Sequence, residues 1–167
     1  MITPLDGKYR VKTSCNVPEA GQGIDAAKKI KGRKRHIVTD TLGLLVAVLV
    51  TAASVHDSVG GKNLLDQVGA AQPTVTKMWV DGGYSNTTIG HGARLGINVH
   101  VMKKRATPTG FTPLPKRWVI EQTFGRLMQH RRLVRDYETL PRRSRAMVHW
   151  ATANKMARAL TGESTLS

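Results

Sequence analysis

Arg35-His36-Ile37-Val38-Thr39-Asp40-Thr41-Leu42-Gly43-Leu44-Leu45-Val46-Ala47-Val48-Leu49-Val50 is the stretch that decides the fold class. Residues 35–41 are rich in β-branched side chains, Leu42-Gly43 has the composition of a turn, and 44–50 is a continuous apolar run. Two strands joined by a tight connection fit this pattern, the second buried on both faces. Upstream, Pro4, Pro18 and Gly21-Gln22-Gly23 break any periodicity, so 1–34 reads as an irregular lead-in with one short strand over 8–13. Downstream, Gly60-Gly61 leads into a helix over 62–71, with Leu64, Leu65 and Val68 at helical spacing. A strand over 75–80 ends at Asp81-Gly82-Gly83-Tyr84. A weak helix or loop over 86–95, a short strand over 98–102 and a Pro/Gly loop over 107–115 follow. Two helices close the chain. The first aligns Ile120, Phe124, Leu127 and Met128; the second aligns Met147, Trp150, Ala151 and Asn154, with Pro141 at its start. Strands first, then alternation, then two helices: the order predicts an α/β fold, a mixed sheet covered by helices.

Composition narrows the function classes. The 167 residues fit one domain. The longest apolar run, 42–53, is interrupted by Gly43 and Thr51 and is well short of the ~20 residues of a membrane span. The first six residues have neither the basic nor the apolar segment of a secretory leader. Cys15 is the single cysteine, which excludes a disulfide framework or thiolate metal cluster and makes a reducing cytoplasm the expected compartment. Against 11 Asp+Glu stand 26 Lys+Arg, a formal net charge of +15. Such an excess points to a polyanionic partner.

The basic residues form three runs: Lys28 to Arg35, Lys103-Lys104-Arg105, and the arginines of the two closing helices. Their uncompensated sign favours a phosphate-binding surface over an ordinary solvated face. With 5% aromatics, stacking on single-stranded bases is a weak expectation.

Among the carboxylates, Asp81 and Glu121 stand out. Asp81 follows an apolar strand and precedes two glycines, a place where ligands commonly bind in sheet-and-helix folds. Its plainer role is a turn hydrogen bond. Glu121 sits at the edge of an apolar helix face with Arg117 one turn before it, a spacing that an ordinary surface ion pair also satisfies. Asp40 and Asp57 lie beside turns and read as capping residues. Asp66, Asp136, Glu138 and Glu163 read as solvated, and Glu19 and Asp25 are uninformative. The six histidines show no metal-ligand spacing, and neither a phosphate loop nor a nucleophile elbow occurs.

Several stretches together resemble a known family: Lys31-Gly32-Arg33-Lys34-Arg35-His36, Asp40-Thr41-Leu42-Gly43-Leu44-Leu45, Trp79-Val80-Asp81-Gly82-Gly83-Tyr84, Pro115-Lys116-Arg117-Trp118-Val119-Ile120-Glu121-Gln122-Thr123-Phe124, and Arg131-Arg132-Leu133 with Asp136-Tyr137-Glu138. In this order they resemble bacterial insertion-sequence transposases of the DDE type, in the group around the insertion sequence five family. The resemblance runs from about Val11 to Leu160. It implies an RNase H-like fold, a mixed sheet flanked by helices, in which two Asp and one Glu hold a pair of Mg²⁺ or Mn²⁺ ions. Asp81 matches the second acid, Glu121 the third, and Arg117 the arginine one turn before it. The family's related tyrosine and lysine positions fall on Leu114 and Met128. Val11-Lys12-Thr13 matches the end of the family's Asp-Ser-x-Ser-Val-Lys-Thr stretch, and counting back places the first acid on Gly7. The available carboxylate, Asp6, is one residue early.

The resemblance therefore implies a catalytic domain over 35–160 behind the 1–34 lead-in, with a 161–167 tail. It also implies an incomplete first strand and a chain truncated at its N-terminus. DNA transposition is the implied function, by metal-dependent cleavage and transfer of duplex DNA at element ends and targets. Asp81, Glu121 and Asp6 are the expected catalytic and metal-holding residues. Lys31, Arg33, Lys34, Arg35, Arg117, Arg131 and Arg132 are the expected DNA contacts. A bacterial cytoplasmic, nucleoid-associated location and a homo-oligomer or pairing with an intact transposase follow. Two readings stay open: a transposase catalytic domain that loss of the first acid can leave inactive, or a non-catalytic basic DNA-binding fragment that associates with an intact transposase.

Overall fold

A computed structural model describes residues 5–26, 29–81, 86–102 and 117–162. Its strands are β1 (Leu5–Lys12), β2 (Gly23–Ile24), β3 (Lys31–Thr39), β4 (Leu45–Ala52), β5 (Lys77–Asp81) and β6 (Asn98–Met102). Its helices are α1 (Asp57–Ala71), α2 (Asn86–Arg94), α3 (Arg117–Met128), α4 (Arg131–Val134) and α5 (Pro141–Thr161). β1 is at the centre, antiparallel to β3 and parallel to β5. β3 carries antiparallel β4 and β2, and β5 carries parallel β6.

The hairpin that decided the fold class forms as expected. Asp40 accepts hydrogen bonds from the Leu42 and Leu44 amides at 2.9 and 2.8 Å, and Gly43 takes φ 81°. The side chain satisfies the turn and glycine supplies its left-handed residue.

Two expectations are corrected. The 1–34 stretch, read as an irregular lead-in with one short strand over 8–13, holds two strands of the sheet: the expected one, extended to 5–12, and a second over 23–24. β1 is its central strand, eight residues long and paired with β3 at every position from Leu5↔Thr39 to Lys12↔Gly32. Its basic and small residues hid its central place, because charged partners, Asp57 of α1 for Lys8 and Asp25 for Arg10, rather than apolar alternation keep those side chains in place. In α5 the sheet-facing residues are Ser144, Val148 and Ala151, with Met147 against them, while Trp150 and Asn154 are exposed.

Strand alternation gives the sheet two distinct faces. On one, Val38, Ala47, Met78, Val80 and Val99 meet Leu64, Leu65 and Val68 of α1 in the main apolar cluster. Each fully buried side chain of this kind contributes about 1.5–3 kcal/mol. On the other face, Tyr9, Ile37 and Val48 meet Phe124 of α3, Leu133 of α4 and Val148 and Ala151 of α5. α1 begins at Asp57 rather than at 62, so Gly60 and Gly61 lie inside it. A Cβ on Gly60 would sit 2.5 Å from Cε1 of buried His36, and glycine is what lets the helix approach the sheet there.

Candidate functional site

Asp81 is the last residue of β5, and Glu121 is an exposed residue in the second turn of α3. α3 lies over β1 and β5. Its buried Val119 and Ile120 pack with Trp79, and Phe124 stacks on Tyr9 with ring centroids 4.7 Å apart. Trp79 and Asp81 are two residues apart in one strand, so the two positions share strand parity. The two elements that carry the candidate acids, β5 and α3, are thus packed against each other.

The third position is different. Leu5 pairs with Trp79 across the parallel β1–β5 contact, so Gly7 and Asp81 each lie two residues beyond that pair in their own strands. Gly7 is on the α3 face: a Cβ added to it would lie 2.1 Å from Cγ2 of Ile120 and 3.1 Å from the Phe124 ring. Asp6 holds the alternate register position, opposite Val38 of the α1 face. The β1–β3 register is unbroken, so no bulge moves Asp6 to the parity of Gly7. Among the described residues no group of three His, Cys, Asp or Glu side chains gathers as a metal site.

The expected DNA contacts divide sharply. Arg33 and Arg35 are 0% and 1% exposed. Arg33 donates to the carbonyls of Gly21, Glu138 and Thr139 at 2.7, 2.6 and 3.0 Å. Arg35 donates to Leu133 O and Tyr9 Oη. Both guanidinium groups flank Asp136, at 3.3 and 3.7 Å. They are internal struts and are not presented to DNA. Lys34 is also buried, paired with Asp25 at 3.3 Å and Asp57 at 3.1 Å. Lys31 is at the surface, bonded to Glu19 at 2.8 Å. Arg131 and Arg132 are exposed on α4, and Arg135, Arg142, Arg143 and Arg145 extend that exposed basic surface into α5. Arg132 reaches Glu138 at 3.1 Å. Arg117 opens α3. The Lys103-Lys104-Arg105 run and Leu114 lie outside the described residues.

Sequence reading missed two anchors. Asp136, taken as solvated, is 0% exposed and also accepts from the Ser144 hydroxyl at 2.6 Å and the Glu138 amide at 3.0 Å. Asp25 is buried against Arg10 and Lys34. The signal was available in the arithmetic: so few acids among so many bases leave any buried cation competing for them. On the opposite sheet face, Lys8 and Lys34 converge on Asp57 at the start of α1. Burial pushes that carboxyl up, but the hydrogen bonds and charges of the two lysines outweigh it and hold it below its ordinary value.

The class of protein that the fold defines is an α/β domain, a mixed sheet closed by helices on both faces. The family model described as Transposase DDE domain matches residues 8–153, and the chain belongs to that family. No curated protein matches it. Among the described residues, no helix is long and apolar enough to cross a membrane.

Proposed function

We propose that this chain is an RNase H-like transposase domain of the insertion sequence five group that binds duplex DNA and whose cleavage site is one acid short. Family membership supports the transposition chemistry, and the strand order and directions fit the RNase H-like arrangement. The observation that carries the reading is Gly7: the position that the resemblance assigns to the first acid lies against Ile120 and Phe124 of α3 and is a glycine. Asp81 and Glu121 are the two acids assigned to the site, with Asp6 excluded unless β1 slips by one residue. Divalent metals, Mg²⁺ or Mn²⁺, serve such domains by activating the attacking oxygen and stabilising the leaving one. The donor set here is incomplete for that purpose. Arg131, Arg132 and the arginines at the start of α5 would hold the DNA backbone without reading bases, and Arg117 would neighbour Glu121.

The test is a Mn²⁺-dependent nicking assay on duplex DNA. The unaltered chain is expected to bind and not cut. Gly7→Asp combined with Ile120→Ala, which clears space for the new side chain, is expected to restore cutting that Asp81→Asn or Glu121→Gln then abolishes. Cutting by the unaltered chain that is lost on Asp6→Ala would place Asp6 in the site and overturn the reading. A folded, DNA-bound double variant that does not cut would overturn the assignment of position 7.

A further inference from the structure

The fully buried cations among the described residues all have carboxylate partners. Arg33 and Arg35 flank Asp136, and Lys34 bridges Asp25 and Asp57. Half-buried Lys8 and Arg10 pair with Asp57 and Asp25 in the same way. Arg126 of α3 and Lys155 of α5 break this pattern. Both are half-buried, and among the described residues neither meets an acid. Leu127 of α3 packs in one cluster with Val148 and Ala151 of α5, and Lys155 follows Ala151 by one turn, so the two cations share the seam between the helices. Burial lowers the Lys155 pKa, and the charge of Arg126 lowers it further. Glu121 is the only acid in α3, α4 and α5, and it lies about 140° around the helix from Arg126.

We propose that Arg126 and Lys155 form a clamp for one backbone phosphate of duplex DNA, seated in the seam between α3 and α5. The proposal rests on the reading of the chain as a DNA-binding transposase domain, and it adds a partly enclosed contact to the exposed arginines of α4 and α5. Two half-buried like charges oppose folding in the protein alone, and an anion between them converts that repulsion into affinity. A phosphodiester suits the pair. The guanidinium offers a planar fork to two oxygens, and the ammonium a point charge to the same group. Partial burial strengthens both contacts relative to those of exposed arginines. Arg126 lies five residues beyond Glu121, about 7.5 Å along α3, so a backbone gripped there runs beside the helix that carries the candidate acid. Phosphate contacts of this kind position the duplex without reading its sequence.

Anisotropy of labelled duplex DNA against salt, with urea denaturation of the same full-length proteins, tests the clamp. Arg126→Gln and Lys155→Gln should each weaken binding about tenfold. The double variant should lose little more, because both changes remove the same phosphate, and its salt slope should fall by about 0.9, one contact. Arg126→Lys should keep most of the affinity. Lys155→Met removes the repulsion and keeps the apolar stem, so it should raise the urea midpoint while it weakens DNA binding; a merely structural lysine would move both in one direction. If the unaltered chain binds DNA and the folded variants keep its affinity and slope, the clamp is overturned and the DNA reading stands. Losses that add in full would assign the cations to separate phosphates and overturn the clamp as well. Failure of the unaltered chain to bind DNA at low salt would overturn both. Inorganic phosphate is the control for a small anion: a chain that ignores DNA but melts higher in phosphate than in chloride at equal ionic strength, unless Lys155 is Met, would seat a free phosphate in the seam instead.

Discussion

Gly7 of β1 and Ile120 of α3 stand so close that a Cβ on the glycine would be 2.1 Å from Cγ2 of the isoleucine. The helix that carries Glu121 rests on the strand at a position where no side chain holds it off. Gly7→Ala is therefore expected to destabilise the fold by about 1–3 kcal/mol through overpacking. Ile120→Ala alone should cost about 2–5 kcal/mol for its cavity. The double variant should cost clearly less than the sum, since each change relieves the other. Urea denaturation of all four proteins measures the coupling; simple additivity would mean that α3 does not rest on Gly7.

The hairpin at 35–50 was legible because turn chemistry and β-branched runs are local signals. So were α3 and the start of α5 at Pro141, where periodicity and proline act within a few residues. β1 was legible as a short strand over 8–13, but its central place in the sheet was not, since Lys8 and Arg10 are held by charge. Lys8 meets Asp57 of α1 and Arg10 meets Asp25, partners 49 and 15 positions away that no local window contains. Arg33 and Arg35 read as part of a basic surface run for the same reason, their carboxylate partner being a hundred residues distant at Asp136. Of the site, the strand-end position of Asp81 and the helical position of Glu121 were readable, whereas the parity of Asp6 needed the register with β3.

Asp136 neutralises two fully buried guanidinium groups and accepts the Ser144 hydroxyl, so it ties α5 to β3. Asp136→Asn should cost about 3–5 kcal/mol, the penalty for leaving buried charges without their counterion. That is a large part of the 5–15 kcal/mol typical of a domain. Chemical denaturation checks it. A loss below 1 kcal/mol would show that the carbonyl acceptors alone satisfy both arginines. Ser144→Ala removes only a hydrogen bond to the charged group and should cost about 1.5–3 kcal/mol.

DNA affinity should fall with salt, log K against log[salt] having a slope of about −0.9 per phosphate neutralised. Removing exposed Arg131 or Arg142 should each lessen the slope by about one contact and weaken unrelated duplexes equally. Arg33→Lys should act through stability instead, leaving the slope of the folded fraction unchanged. Fluorescence anisotropy on two unrelated duplexes measures both quantities. A flat salt response would remove the electrostatic basis of binding.

His36 gives the fold a specific acid sensitivity. The side chain is fully buried between the sheet and Gly60 of α1, with Nε2 3.2 Å from the Thr51 hydroxyl. Burial lowers its pKa from 6.5 to about 4; the nearby Asp57 carboxylate opposes this, and Lys8, Lys34 and Arg10 reinforce it. The folded state thus holds a neutral ring that the unfolded chain protonates more readily. Its stability contribution is complete above about pH 6.5 and is lost as pH falls toward 4, a difference of about 3 kcal/mol. The paired Asp57, whose carboxyl is held below its ordinary value, weakens the fold only at lower pH. Urea midpoints for the unaltered chain should therefore decline between pH 6.5 and 4. His36→Gln, which keeps polarity without a titrating group, should start less stable and flatten that decline. An equally steep decline in the variant would assign the acid sensitivity to another group.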